Sequence, residues 1–100
     1  MTKRNTYRAG APCWVDTFQP DPRSALAFYG PLLGWTFDEP TPMPDGLEGS
    51  YFAARVDGCL VAGVGQAPPS SPTVWSTYIC VDDVEQILQR AEDAGGARLA

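Results

Sequence analysis

The 100-residue sequence contains no histidine. That removes the commonest general base and the commonest metal-binding side chain together. Ser-His-Asp triads and histidine-based zinc or iron sites are therefore excluded within this chain. Basic residues are also scarce, 7 against 12 acidic ones, for a net charge of -5. Without a basic patch to neutralise phosphates, nucleic acid is not an expected partner, and the charge reads as a solubility device. No apolar run reaches the roughly 18 residues that a spanning helix requires. The opening Met-Thr-Lys-Arg-Asn is basic, but no apolar segment follows it as in a signal peptide. The expectation is a cytoplasmic protein with no membrane partner.

Cysteine is limited to Cys13, Cys59 and Cys80, an odd number with no C-x-x-C pair. Each falls in an apolar run, which predicts buried, reduced thiols acting as small hydrophobes.

What is present is globular: 44% hydrophobic and 19% charged residues in a length that allows one domain with a modest core. Pro12 to Phe18 is rich in strand formers, and alternation places Trp14, Asp16 and Phe18 on one face, Val15 and Thr17 on the other. Asp21 is suited to cap a helix whose first residue is Pro22. Ala25, Phe28, Tyr29 and Leu32 follow at helical spacing as one apolar stripe, with Phe28 and Tyr29 read as core packing, and Gly34 closes the helix. Pro31 cannot bond to the carbonyl of Ala27, so the last turn is expected to bend or fray.

Trp35 to Phe37 begins a second strand, and Glu39 to Gly49, rich in proline and glycine, reads as a loop. Tyr51–Val56 and Cys59–Val64 flank Asp57-Gly58, a dipeptide fit for a two-residue type I′ hairpin turn. "APPSSP" (Ala67–Pro72) is a linker. Trp75–Val81 is the next strand. Asp82 with Glu85 resembles a capping box, Val84, Ile87, Leu88 and Ala91 form a stripe, and Gly95-Gly96 stops it. Arg98-Leu99-Ala100 reads as the opening of a further strand.

Trp14 and Trp75, Asp21 and Asp82, and Gly34 and Gly95 each stand 61 positions apart. Strand, acidic cap, amphipathic helix, glycine stop and strand thus occur twice in order, which predicts a repeated β-α-β-β-β unit. Residues 10–66 make the first unit and residues 73–100 begin a second. By the repeat, roughly 30 residues of the second unit fall beyond Ala100. The expected architecture is α+β: paired units forming a cupped mixed sheet, the second incomplete at its C-terminus. A sheet edge left open in this way predicts pairing with another copy, a homodimer formed at the edge or by strand exchange.

The segments "PCWVDTFQPDPRSALAFYGPLLGW", "DGCLVAG" and "VWSTYICVDDVEQILQRAEDAGG" resemble, in that order, the vicinal oxygen chelate superfamily, also called the glyoxalase/bleomycin resistance/dioxygenase family. The nearest subgroup is the actinobacterial glyoxalase-like proteins often labelled hydroxylases. The resemblance implies one glyoxalase-like domain over residues 1–100 with its ligand in the cup of the sheet. Catalytic relatives hold a divalent metal with His and Glu or Gln. Carried over by position, the first ligand falls on Trp14 and the second on Ser76, or on Trp75 if the offset of 61 is followed, and none of these is an ordinary metal ligand. The expectation is no metal and no cofactor.

In the same register Trp14, Asp16 and Phe18 line the cup with Ser76, Tyr78 and Cys80. Aromatic walls with a few polar groups suit a small aromatic or hydrophobic molecule, although the same aromatics would also serve as ordinary core. Asp16 is the sharpest candidate. A carboxylate in an apolar strand must be hydrogen-bonded, paired or shifted toward neutrality, which marks either a site residue or a strand edge. Arg55 is a candidate anchor for an anionic ligand, or a solvated edge charge. Three readings follow. The first is a metal-independent binding protein for an aromatic or hydrophobic metabolite or antibiotic. The second is a metal-independent natural-product tailoring enzyme, lyase- or hydroxylase-like, with Asp16 as acid/base and Tyr78 as hydrogen-bond donor. The third is a domain-swapping fragment of a longer two-domain protein.

Overall fold

The computed structural model describes residues 7–98. The chain runs β1 (Pro12–Gln19), α1 (Pro22–Leu33), β2 (Thr36–Phe37), β3 (Thr41–Pro42), a 3-10 turn (Pro44–Gly46), β4 (Ser50–Val56), β5 (Cys59–Gln66), β6 (Trp75–Ile79) and α2 (Val84–Asp93). All strands join one six-stranded mixed sheet ordered β2-β4-β5-β1-β6, with β3 also on β4. The protein is α+β, as the repeat implied.

The hairpin of β4 and β5 forms the middle of the sheet. Asp57 and Gly58 take φ of 50° and 78°, both positive as a type I′ turn demands. β5 then lies parallel to β1, with Asp16 opposite Gly63 and Phe18 opposite Gly65. A parallel pair requires a crossover, and α1 supplies it. Asp21 caps α1 by accepting from the Ser24 N–H at 3.3 Å and the Ser24 hydroxyl at 2.7 Å. At the other end Gly34 is left-handed, and the Gly34 and Trp35 N–H groups both close on the carbonyl of Gly30. The helix continues through Pro31 to Leu33. Pro31 lies in the last turn, so only one backbone bond is forfeited there.

α1 packs on the face that carries Thr17, Ala54, Ala62, Val64 and Phe52, all buried. Alanines at the sheet centre and Ala25 on the helix permit the approach, and Arg23 lies 5.4 Å from the Phe52 ring centroid. Only part of the expected stripe is covered. Phe28 and Leu32 are each 61% exposed, so Phe28 is not core. Tyr29 does pack, meeting Trp35 and Trp75 at ring-centroid distances of 5.9 and 5.3 Å and accepting a hydrogen bond from the Trp75 indole at 3.2 Å.

The segment expected as loop over Glu39–Gly49 carries more order than its prolines suggest. β2 and β3 follow one another along the same edge of β4, bridged by a bond from the Asp38 N–H to the Ala53 carbonyl. They are two pieces of one interrupted strand. Met43, just beyond, is buried.

Across β1 from the hairpin, β6 pairs antiparallel, Trp14 opposite Tyr78 and Asp16 opposite Ser76. It ends at Ile79 rather than Val81. The cap of α2 is Asp83, which accepts from the Gln86 N–H at 3.1 Å; the expected cap, Asp82, does not play this part. Asp21 and Asp83 stand 62 positions apart, and the same offset relates Trp14 to Ser76, on one sheet face. Trp75 faces α1 instead, beside Thr17. Of the three pairs 61 apart, Gly34 and Gly95 share a positive φ, whereas Asp82 is not a cap and Trp75 lies on the sheet face opposite Trp14. No residue of α2 is buried, and Val84 is 61% exposed; its stripe meets no partner among the described residues. Arg98 bridges Glu85 and Glu92 at 3.5 and 3.4 Å, while Leu99 and Ala100 lie outside the described residues. Cys13, Cys59 and Cys80 are free but half-buried, not enclosed.

Candidate functional site

The sheet face turned away from α1 carries Trp14, Asp16 and Phe18 of β1. Beside them, Gly63 and Gly65 of β5 present only hydrogen to this face. The bare strand lets Tyr51, on β4, lie across it. A Cβ built on Gly63 would overlap the Tyr51 phenol, and one on Gly65 would stand 2.9 Å from the Phe18 ring and 3.0 Å from the Met43 sulfur. Alternate glycines in a strand interior thus mark close approach by larger side chains.

The outcome is a cluster joining three strands. The Trp14 indole N–H donates to the Tyr51 hydroxyl at 2.9 Å. Tyr51 in turn donates to Oδ2 of Asp16 at 3.1 Å, and Tyr78 of β6 donates to the same oxygen at 3.2 Å. Asp16 is 4% exposed. Its other oxygen, Oδ1, is buried without a hydrogen-bond partner. Burial pushes the Asp16 carboxyl up from its usual range, with the two phenols offsetting part of the rise. Burial likewise pushes Tyr51 up to about 12; the Trp14 N–H opposes that rise and Asp16 adds to it. Tyr78 is raised by burial and then by Asp16.

Next to the cluster lies a cleft of about 250 Å³ lined by Phe18, Met43, Leu47, Pro68, Val74 and Ser76, among others. Ser76 of its lining sits opposite Asp16 in the β1–β6 register, which puts the cleft and the carboxyl on the same sheet face. The far wall is the Ala67–Pro72 connection. It is moored by a bond from the Ala67 N–H to the Gln19 carbonyl at 2.8 Å and one from the Thr17 hydroxyl to the Val74 carbonyl at 2.8 Å.

Of the residues singled out from sequence, Trp14, Asp16 and Tyr78 meet in the cluster, and Phe18 and Ser76 line the adjoining cleft. Arg55 stands apart. Its guanidinium pairs with Asp38 at 2.8 Å and donates to the Gly58 carbonyl at 2.9 Å, near the hairpin turn and partly exposed. Tyr51 and Met43 were missed. The alternating glycines of "VAGVG" are the signal that would have pointed to Tyr51, through the pairing that Asp57-Gly58 imposes on β4 and β5.

The model of the Glyoxalase/Bleomycin resistance protein/Dioxygenase superfamily matches residues 14–98. The chain belongs to this superfamily. It is also 40% identical over 100 residues to "Putative glyoxylase CFP32" of Mycobacterium bovis, and equally to the protein of that name in Mycobacterium tuberculosis. Each alignment covers 96% of this chain and 38% of the relative. The chain thus spans well under half the length of these curated relatives.

Metal-holding members of the superfamily set a test for the residues at the corresponding positions. Trp14 can only donate, and its N–H is already given to Tyr51. Two phenol donors are aimed at Asp16. Among the described residues no three of His, Cys, Asp or Glu converge. This donor set does not fit a divalent ion, which takes several oxygen or nitrogen ligands. No helix is long and apolar enough to cross a membrane among the described residues.

Proposed function

We propose that this glyoxalase-like chain binds a small aromatic or hydrophobic molecule on the sheet face opposite α1, without a metal of its own. Trp14, Asp16, Phe18, Tyr51, Ser76 and Tyr78 form the binding surface. The observation that carries the reading is the buried, unpartnered Oδ1 of Asp16 beside an apolar cleft. A polar atom left in that state costs on the order of 1–3 kcal/mol, and a ligand that answers it recovers the cost. The test is an NMR titration of the chain with indole, a neutral planar probe, in the presence of EDTA. Shifts at the Trp14 indole N–H, Phe18, Ser76 and Tyr78 are expected. No shifts, or shifts confined to Phe28 and Tyr29 on the opposite side, would refute it.

A second reading is favoured by one detail of the same site. Both phenols occupy Oδ2, which leaves Oδ1 to carry a proton taken up by Asp16, and burial pushes the carboxyl up in favour of that protonated form. This suits a metal-independent tailoring enzyme with Asp16 as acid/base and Tyr78 as hydrogen-bond donor. For such an enzyme Asp16→Asn lowers turnover about 100-fold or more; an unchanged rate removes Asp16 from the chemistry.

A further inference from the structure

Hydrogen positions in the cluster are dictated by its one obligate donor. The Trp14 indole can only give a hydrogen, so the Tyr51 oxygen receives it and the Tyr51 hydrogen is left for Oδ2 of Asp16. Tyr78 adds a second donor. The carboxyl is thus arranged throughout as an acceptor, and Oδ1 is an acceptor with nothing to accept from.

No hydrogen bond or ion pair joins it to a cation among the described residues. Arg55 is held by Asp38 and Gly58, Arg98 by Glu85 and Glu92, and Arg23 lies over Phe52 on the opposite face. The side chains converging on the carboxyl are instead aromatic: Trp14, Tyr51 and Tyr78. A buried carboxylate oxygen with no cation bonded to it is answered most fully by a ligand's organic ammonium, through a charge-assisted hydrogen bond. A neutral hydroxyl would satisfy the hydrogen bond and leave the charge uncompensated. The adjoining cleft is lined by Phe18, Met43, Leu47 and Val74, with no charged side chain, and it takes hydrocarbon rather than a second charge.

We infer that the ligand of this face is an apolar amine. Its protonated nitrogen donates to Oδ1 of Asp16, and its hydrocarbon body occupies the cleft. Tyr78, on the edge strand and 42% exposed, is the more exposed of the two side chains bonded to the carboxyl. The inference rests on the binding reading above and names its ligand class.

The experiment is calorimetric titration of the chain at pH 7 with three probes sharing one phenyl group: phenethylamine, 2-phenylethanol and 3-phenylpropionate. Phenethylamine is expected to bind about tenfold or more tightly than the alcohol, and the carboxylate not to bind. In Asp16→Asn the amine is expected to lose its advantage over the alcohol. If alcohol or carboxylate binds wild type as tightly as the amine, or if folded Asp16→Asn keeps full amine affinity, the ligand class is wrong while the binding face stands. If none of the three binds, both the ligand class and the binding reading fall. The comparison of probes on the wild-type chain decides the matter even if the variant does not fold.

Discussion

The Tyr51 hydroxyl reaches Oδ2 of Asp16 at 3.1 Å across an intervening strand, and it does so because Gly63 has no side chain in the way. One missing Cβ on β5 therefore couples β4 to β1 and allows the indole of Trp14 to find its acceptor. Gly63→Ala is predicted to destabilise the fold by about 1–3 kcal/mol, the usual cost of overpacking. Denaturant unfolding checks it, and Tyr51→Ala supplies the control. With the phenol gone, the added methyl meets little, so the cost of Gly63→Ala shrinks in that background. Equal costs in both backgrounds would show that Tyr51 is not what Gly63 accommodates.

Stability should carry the signature of Asp16. Its carboxyl is raised in the folded state above the ordinary 3.8, so between those values the folded chain binds more protons than the unfolded one. The stabilisation by protonated Asp16 is complete below the unfolded value and is lost as pH rises through the raised folded value. Asp16→Asn has no such loss. Thermal unfolding from pH 3 to 8 should show the variant gaining on wild type as pH rises, by at most about 1.4 kcal/mol per unit within that window. A difference that stays flat, or that falls with rising pH, contradicts the assignment.

Two adjacent acids compete for the start of α2, and the structure gives the cap to Asp83. Asp83→Ala should weaken the helix by about 1 kcal/mol, whereas Asp82→Ala should leave it unaltered. Because α2 buries none of its residues, the loss appears locally, as reduced helical NMR shifts over Glu85–Arg90, with little change in global unfolding. The reverse ranking of the two variants would restore Asp82 as the cap.

These particulars show where sequence was enough. Asp57-Gly58 carries its own turn geometry, and Asp21, Pro22 and Gly34 punctuate α1 by local chemistry, so the hairpin and the first helix are legible residue by residue. The choice between Asp82 and Asp83 depends on where β6 leaves the sheet, which local preference does not encode. Periodicity identified Phe28 and Leu32 as one side of a helix, but it carries no information on whether another element covers that side. Trp14, Asp16 and Phe18 were legible as one face through strand alternation. Tyr51 was not, because it meets Asp16 only through the register of three strands and the space above Gly63.

The measurement that tests the account most directly is a 13C NMR titration of the Asp16 side-chain carboxyl, with and without phenethylamine. The account predicts a midpoint above 3.8 in the free chain, higher still in Tyr51→Phe, where one donor that favours the charged form is gone, and lower once the amine is bound. A midpoint at or below 3.8 in the free chain, or one that the amine leaves unmoved, would contradict it.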